Sequence, residues 1–318
     1  MSKARILAND GIDDTGKKML EAAGIEVVTR HFEAAELADQ LKSFDGIIVR
    51  SATQVRKPLI DACPNLKVIG RGGVGMDNID VAYAREKGIA VYNTPAASSR
   101  SVAELVFAHI FSLLRHLQAM NRAMPVTGQT EFGKLKKQSS EGNELLGKTI
   151  GIIGLGRIGQ EVARMALGLG MKVIATDPFV KEADIEIRVA GASGTLQVHL
   201  QTVGIEAVLQ QSDFITIHIP KADTPLIGMK ELGQLKKGVL LINTARGGVF
   251  DEDAILSGLA SGVIGGAGID VFVGEPTPKI EILTHPKISL SPHIGGSTQE
   301  AQENIGKELA GLLIKHFT

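Results

Sequence analysis

Three clusters in this chain hold residue types that could do chemistry together. Thr244-Ala245-Arg246-Gly247-Gly248 follows the apolar run Val239–Asn243, and Asp270 follows Ile264–Ile269 with Glu275-Pro276 just beyond it. Pro292-His293-Ile294-Gly295-Gly296 follows the apolar run 288–291. An arginine, a carboxylate and a histidine thus leave three successive runs. Arginine has the planar fork that grips a carboxylate, and its charge polarises a neighbouring carbonyl. Histidine titrates near neutrality and can give or take a proton. A carboxylate beside the histidine favours the imidazolium and fixes the ring. Hydride transfer between a 2-hydroxy acid and its 2-oxo acid needs this set, with a cation on the carboxylate and an acid–base group beside the reacting oxygen.

A second motif would hold a nucleotide. Gly154-Leu155-Gly156-Arg157-Ile158-Gly159 fits G-x-G-x-x-G, follows the apolar run Thr149–Ile153 and opens a helical pattern, and Asp177 closes the next apolar run. In that context the first glycine permits a tight turn, the second lets the backbone approach a pyrophosphate, and the third lets helix and strand pack closely. The helix N-terminus adds free N–H groups and a partial positive charge. Asp177 would accept hydrogen bonds from the adenine ribose hydroxyls and repel a 2′-phosphate, which selects NAD over NADP.

Arg50 and Arg71 follow the apolar runs Gly46–Val49 and 68–70, so both should face one sheet edge, as capture of an anionic substrate group requires. Gly72, Gly73 and Gly75 would offer backbone N–H groups there as an anion nest. Other candidates read as structural. His109 and His116 share a helix face without the carboxylate or cysteine partners of a metal site, and no metal is expected. Cys63, the single cysteine, lacks local activation and reads as a buried thiol. Lys134, Lys136 and Lys137 read as part of a solvated loop.

Positioning these groups takes short strands that alternate with helices. Strands are predicted at Arg5–Ala8, Glu26–Thr29, Gly46–Val49, 68–70 and 89–92, with helices over 14–23, 34–42, 58–62 and 81–87. A second series has strands at Thr149–Ile153, Lys172–Thr176, 214–219, Val239–Asn243, Ile264–Ile269 and 288–291. Such alternation makes parallel sheets covered by helices, so the fold class is α/β with two doubly wound domains. A long helix over 102–120, with Ser101 and Glu104 spaced as a capping box, separates the series. The polar stretch 128–142 reads as an extended loop, and a helix over 298–315 closes the chain.

The composition agrees. A chain of 318 residues allows two domains, and 44% hydrophobic with 22% charged residues excludes wholesale disorder. A net charge of −1 and the absence of Trp argue against a nucleic-acid partner. The longest apolar stretch, 102–114, is too short for a membrane span, and the N-terminus has no signal-peptide core. A single cysteine suits a reducing compartment, so a cytoplasmic protein is expected.

Together these residues resemble the D-isomer-specific 2-hydroxyacid dehydrogenase family, and its phosphoglycerate-oxidising members most. The resemblance runs from about Ile6 to the last helix. It is carried by IIVRSAT (47–53), RGGVGMDNID (71–80), LGKTIGIIGLGRIG (146–159), NTARGGV (243–249), GIDVFVGEP (268–276) and SPHIGGS (291–297). It implies a flavodoxin-like substrate-binding domain at 1–98 plus 295–318 and an inserted Rossmann NAD-binding domain at 99–294. It implies Arg246, Glu275 and His293 as the catalytic trio. Gly154, Gly156, Arg157, Ile158, Gly159, Asp177, Thr244, Ala245, Asp270 and Gly296 fall at cofactor positions, and Arg50, Ser51, Arg71, Gly72 and Gly73 at the substrate phosphate. The implied activity is NAD-dependent oxidation of D-3-phosphoglycerate to 3-phosphohydroxypyruvate, the entry to serine biosynthesis, by a homodimer joined through the helix after Ser101. Reduction of glyoxylate, hydroxypyruvate or another 2-oxo acid is the alternative, and an NAD-sensing corepressor a further one. Three departures stand out. The chain ends at Thr318, so feedback by serine through a C-terminal domain is not expected. The segment around 191–204 is longer than the family pattern, and Leu135 and Lys137 stand where relatives often carry Trp and Arg.

Overall fold

The computed structural model describes residues 3–318. The chain forms two compact units, one running to Ser101 and resuming at Gly296–Thr318, the other spanning Val102–Gly295. In the first, β1 (Arg5–Ala8), α1 (Asp14–Ala22), β2 (Glu26–Thr29), α2 (Ala34–Leu41), β3 (Gly46–Val49), α3 (Lys57–Ala62), β4 (Val68–Arg71), α4 (Val81–Glu86) and β5 (Ala90–Asn93) follow one another. The strands pair in parallel in the order β2-β1-β3-β4-β5. Parallel strands covered on both faces read as unbroken apolar runs, and every residue of β3 is buried. Leu37, Leu41 and Ile60 pack on one face of this sheet.

The second unit holds α5 (Ser99–Leu114, which begins just before it), α6 (Leu117–Gln138), β6 (Thr149–Ile153), α7 (Arg157–Gly168), β7 (Lys172–Thr176), β8 (Glu182–Arg188), β9 (Thr195–Gln201), α8 (Ile205–Gln211), β10 (Phe214–Ile217), β11 (Val239–Asn243), α9 (Glu252–Ser261), β12 (Ile264–Ile269), α10 (Ile280–Thr284) and β13 (Ile288–Leu290). Its six-stranded parallel sheet runs β13-β12-β11-β10-β6-β7. Val106, Ile110 and Leu113 of α5 and Val162 and Ala166 of α7 join one core cluster, and Val208, Ile255, Leu259 and Ile282 join the other. The chain ends in α11 (Gln299–Phe317), which returns to the first unit. There it lies against α1 so closely that a Cβ on Gly16 would meet the Gly306 carbonyl oxygen at 2.5 Å.

Three expectations are corrected. The stretch 128–142 is helical as far as Gln138, because its Lys, Gln, Glu and Leu residues favour helix even though only Leu135 is buried. The single helix over 102–120 is two, broken where His116 takes a left-handed conformation (φ 57°). It also begins at Ser99, so Ser101 lies inside it and its hydroxyl meets that of Thr298 at 2.9 Å. The long segment after Asp177 is the antiparallel hairpin β8–β9. Its Ile185 is fully buried, and Ala175 of β7 bridges Thr202 just past it. Among the described residues no helix is long and apolar enough to cross a membrane.

Candidate active site

The glycine loop connects β6 to α7. Gly154 has φ +96°, a backbone conformation suited to glycine, and a Cβ on it would lie 2.5 Å from the His218 carbonyl oxygen. Gly159 presses on the loop from the helix side, where a Cβ would stand 2.1 Å from the Gly154 oxygen. Gly156 begins α7 and is exposed, with no atom within 4 Å of where its Cβ would be. Arg157 is exposed beside it and Ile158 is half-buried. Asp177 braces the loop. Its Oδ2 accepts from the Leu155 N–H at 2.7 Å, and its Oδ1 accepts from the N–H groups of Phe179 and Val180 at 2.8 and 3.0 Å. Partial burial would raise its pKa, but these three backbone donors win and hold it below the usual carboxylate range. One lone pair of Oδ2 stays open.

Loops after β11, β12 and β13 carry the other groups. Asn243, buried at the end of β11, accepts from the Ala245 N–H at 3.0 Å and donates to the Arg246 carbonyl at 2.8 Å. This side chain closes the turn that presents half-buried Arg246, whose Nη1 donates to the Ala245 oxygen at 2.6 Å. Gly247 lies against the next loop, since a Cβ there would be 2.0 Å from the Phe272 oxygen. Glu275 accepts from the Phe272 N–H through Oε1 at 2.8 Å and from His293 Nδ1 through Oε2 at 2.9 Å. A carboxylate only accepts, so the proton of that bond is on His293 Nδ1, which leaves Nε2 as the ring nitrogen not engaged by Glu275. His293 itself has φ 55°, a conformation that costs a non-glycine residue about 1–3 kcal/mol and persists only where its surroundings fix it. Fully buried Asp270 supplies that fixing. Its carbonyl accepts the His293 N–H at 2.8 Å, and its carboxylate accepts from Ile294 and Gly295 N–H at 2.8 and 3.0 Å and from Ser291 Oγ at 2.6 Å.

Whether these residues fit a dinucleotide can be tested on polar atoms left over. Thr244 Oγ1 and His218 Nδ1 are buried without a protein partner, and both sit just past the carboxyl ends of strands, at β11 and β10. His218 Nε2 faces Thr216 Oγ1 at 3.0 Å, and burial pushes its pKa down to about 3, so the ring is neutral. Open space over Gly156, the free start of α7 and these orphan atoms suit a large polar ligand along this edge. Ala245 is buried in the same turn as Thr244, and Gly296 belongs to the first unit, where its carbonyl accepts from Gln302.

In the first unit, the Arg50–Thr53 turn follows β3. Asp10 Oδ2 accepts from the N–H groups of Arg50 and Thr53 at 2.7 and 3.0 Å, and Asn78 Nδ2 donates to the Arg50 and Thr53 carbonyls at 2.9 and 2.6 Å. Arg71, at the end of the neighbouring strand β4, folds over Gly73 and donates to the Gly72 carbonyl at 3.0 Å, with Nη2 3.5 Å from Ser51 Oγ. Arg50, Ser51 and Arg71 therefore share one edge. The anion nest is corrected, because the Gly72 and Gly73 N–H groups already donate to Val49 O and Thr94 Oγ1 at 2.9 and 2.8 Å. These glycines make room for arginine side chains instead. Asp10, Asn78, Asn243 and His218 escaped the sequence reading. Their common signal is a polar residue at or just past the end of an apolar strand, or facing one from a distant turn. Among the described residues no group of three or more His, Cys, Asp or Glu could hold a metal ion.

Comparison with known proteins gives this architecture a class. Residues 107–295 match the model of the D-isomer specific 2-hydroxyacid dehydrogenase NAD binding domain. The chain is 40% identical to a hydroxypyruvate reductase of Thermotoga maritima, covering 100% of this chain and 99% of that protein. It is 38% identical over 309 residues to a D-3-phosphoglycerate dehydrogenase of Bacillus subtilis, but spans 55% of that protein's length. An NAD+-bound 3-phosphoglycerate dehydrogenase of Entamoeba histolytica superposes with a TM-score of 0.77 at 26% identity, covering 99% of this chain and 96% of that one. The chain belongs to the D-isomer-specific 2-hydroxyacid dehydrogenases, and its cofactor is NAD.

Proposed function

We propose that this protein oxidises D-3-phosphoglycerate to 3-phosphohydroxypyruvate. The observation that carries this reading is the Arg50, Ser51 and Arg71 edge, two cations and a hydroxyl that an unphosphorylated acid has no need for. The chemistry that bound NAD would supply is a hydride acceptor for C2 of the substrate. Gly154, Gly156, Arg157, Ile158, Gly159, Asp177, Thr244 and Ala245 would hold NAD, with Asp270 and Gly296 shaping the loop beside it. His293 takes the hydroxyl proton on Nε2, and the Glu275 carboxylate stabilises the imidazolium that results. Arg246 holds the substrate carboxylate, and Arg50 with Arg71 holds the phosphate.

The likeness to the Thermotoga protein across both full chains favours a second reading, reduction of hydroxypyruvate. NADH consumption with 3-phosphohydroxypyruvate, hydroxypyruvate, glyoxylate and pyruvate separates the two. A kcat/KM at least about tenfold higher for the phosphorylated acid, lost in Arg71→Ala, is expected. Equal or better use of hydroxypyruvate by the unmodified protein overturns the phosphate assignment and favours the second reading.

We also propose a homodimer. Phe111 of α5 and Leu117, Met124, Val126 and Phe132 of α6 are exposed apolar side chains that a second copy would cover. Sedimentation velocity should give twice the chain mass, and a monomer at micromolar concentration would overturn this.

A further inference from the structure

His109 lies on α5, is 3% exposed and takes no part in the chemistry proposed above. A histidine is a costly choice for this place unless both ring nitrogens find partners. Both do. Nδ1 is 2.9 Å from Ser289 Oγ, and Nε2 is 3.0 Å from Ser291 Oγ. Room for the ring comes from Gly268 on β12, where a Cβ would stand 2.6 Å from His109 Cβ. Two hydroxyls and one missing side chain, on two different strands and the residue after one, thus seat a single imidazole.

The direction of each bond follows from donor bookkeeping. Ser291 gives its one proton to Asp270 Oδ1, because a carboxylate has none to give. Ser291 Oγ can then only accept from His109, so the ring proton is on Nε2. Burial, against the opposing pull of the Asp270 charge, holds the His109 pKa below the usual histidine range, so the ring is neutral. Nδ1 is bare and accepts from Ser289. The result is a chain of fixed polarity, Ser289 to His109 to Ser291 to Asp270. It ends on the carboxylate that grips the Ile294 and Gly295 N–H groups.

We propose that His109 is a positioning residue, which through the Ser291 hydroxyl holds Asp270 in the orientation that sets the left-handed turn at His293 and aims its ring. This rests on reading His293 as the acid–base group. Without the Nε2–H donor, Ser291 can turn away from Asp270, and a small rotation of that carboxylate moves the backbone on both sides of His293.

The test uses the full chain and four variants: His109→Leu, His109→Gln, Ser291→Ala and His293→Asn. For each, kcat and KM for reduction of the preferred 2-oxo acid are measured, with NADH affinity by fluorescence titration. Ring tautomer is read from 15N histidine shifts in the unmodified protein. His109→Leu should lower kcat about tenfold or more while KM and NADH affinity stay within about twofold, since misplacement of a reacting group acts on turnover. His109→Gln, which keeps an N–H donor, should recover most of the loss. Ser291→Ala should resemble His109→Leu, and the pair combined should lose no more than either alone. The 15N shifts should show the proton on Nε2. Unchanged kcat in His109→Leu, equal damage in the Leu and Gln variants, or a proton on Nδ1 would each overturn the proposal. If His109→Leu fails to fold, the tautomer and Ser291→Ala decide. His293→Asn keeps the two readings apart. Full turnover in that variant sinks the acid–base role and the purpose given to His109, whereas collapse there beside an intact His109→Leu sinks only the positioning proposal.

Discussion

Two glycines of the same loop should fail in different ways when each gains one methyl group. At Gly159 the new Cβ would lie 2.1 Å from the Gly154 oxygen, whereas ordinary contact begins at 3.4 Å, so roughly 1.3 Å must be opened (3.4 − 2.1). The loop has little slack to give. Gly154 N donates to Thr176 O at 2.9 Å on one side, and its own Cβ position is 2.5 Å from the His218 oxygen on the other. Overpacking of this kind costs about 1–3 kcal/mol, a fall in Tm of roughly 2–12 °C for a domain of this size. The shifted loop should also lose one or two backbone bonds to the pyrophosphate, about 10- to 150-fold in NADH affinity. At Gly156 nothing in the protein lies within 4 Å of the new methyl, and φ is −73°, ordinary for alanine. Gly156→Ala should therefore keep its Tm, or gain slightly, while NADH affinity still drops because the methyl takes space the pyrophosphate needs. Differential scanning fluorimetry and NADH fluorescence titration on the two variants decide it. Wild-type affinity in Gly156→Ala would remove the pyrophosphate from this loop, and a wild-type Tm in Gly159→Ala would refute the packing argument.

Two further outcomes follow from other parts of the chain. Asp10→Ala removes the acceptor for the Arg50 and Thr53 N–H groups, so the turn presenting Arg50 and Ser51 should loosen; KM for the phosphorylated acid is expected to rise about tenfold with NADH affinity unchanged, and an unchanged KM would show that the turn holds without it. His218 gives a pH dependence. Its pKa is about 3 when folded against an ordinary 6.5, so between those values the unfolded chain binds a proton that the native chain refuses. Stability should then rise with pH across that window and be lost as pH falls below about 6.5, with a slope of up to about 1.4 kcal/mol per pH unit from this group. Denaturant melts at several pH values should give a flatter slope for His218→Gln, and parallel slopes would show that His218 is not the group responsible.

Much of this was legible in the sequence because buried parallel strands announce themselves as unbroken apolar runs. Gly46–Val49 and Phe214–Ile217 are buried at every position, as strands of a sheet covered on both faces must be. What failed to show was structure with little burial to pattern it. α6 gives only Leu135 to a core, so its helix leaves no apolar period to read. In the hairpin β8–β9 one face packs through Ile185 while charged residues crowd the other, and a short stretch of that kind resembles a polar loop. Charged residues at strand ends were visible for the same reason the strands were. The partners that hold them were not, since Ser291 and His109 are separated by 182 residues and Asp10 and Arg50 by 40.

Those hidden partners share one physical origin. A loop leaving the carboxyl end of a strand carries backbone N–H groups with no ladder to join, and each must find an acceptor or remain in water. Here short acceptor side chains at strand ends meet that need, among them Asp10 past β1, Asp177 past β7, Asn243 at the end of β11 and Asp270 past β12. Each takes N–H groups from a turn that carries a candidate site residue or the glycine loop, so the group that satisfies the backbone also fixes the direction of the neighbouring side chain. Backbone satisfaction and site geometry thus become one constraint. Replacing Arg50, Arg246 or His293 should therefore remove a chemical capacity and leave the loop standing. Replacing the acceptor beneath it should keep the capacity and misdirect it, a loss read in kcat where the reacting group is misaimed and in KM where a binding group is.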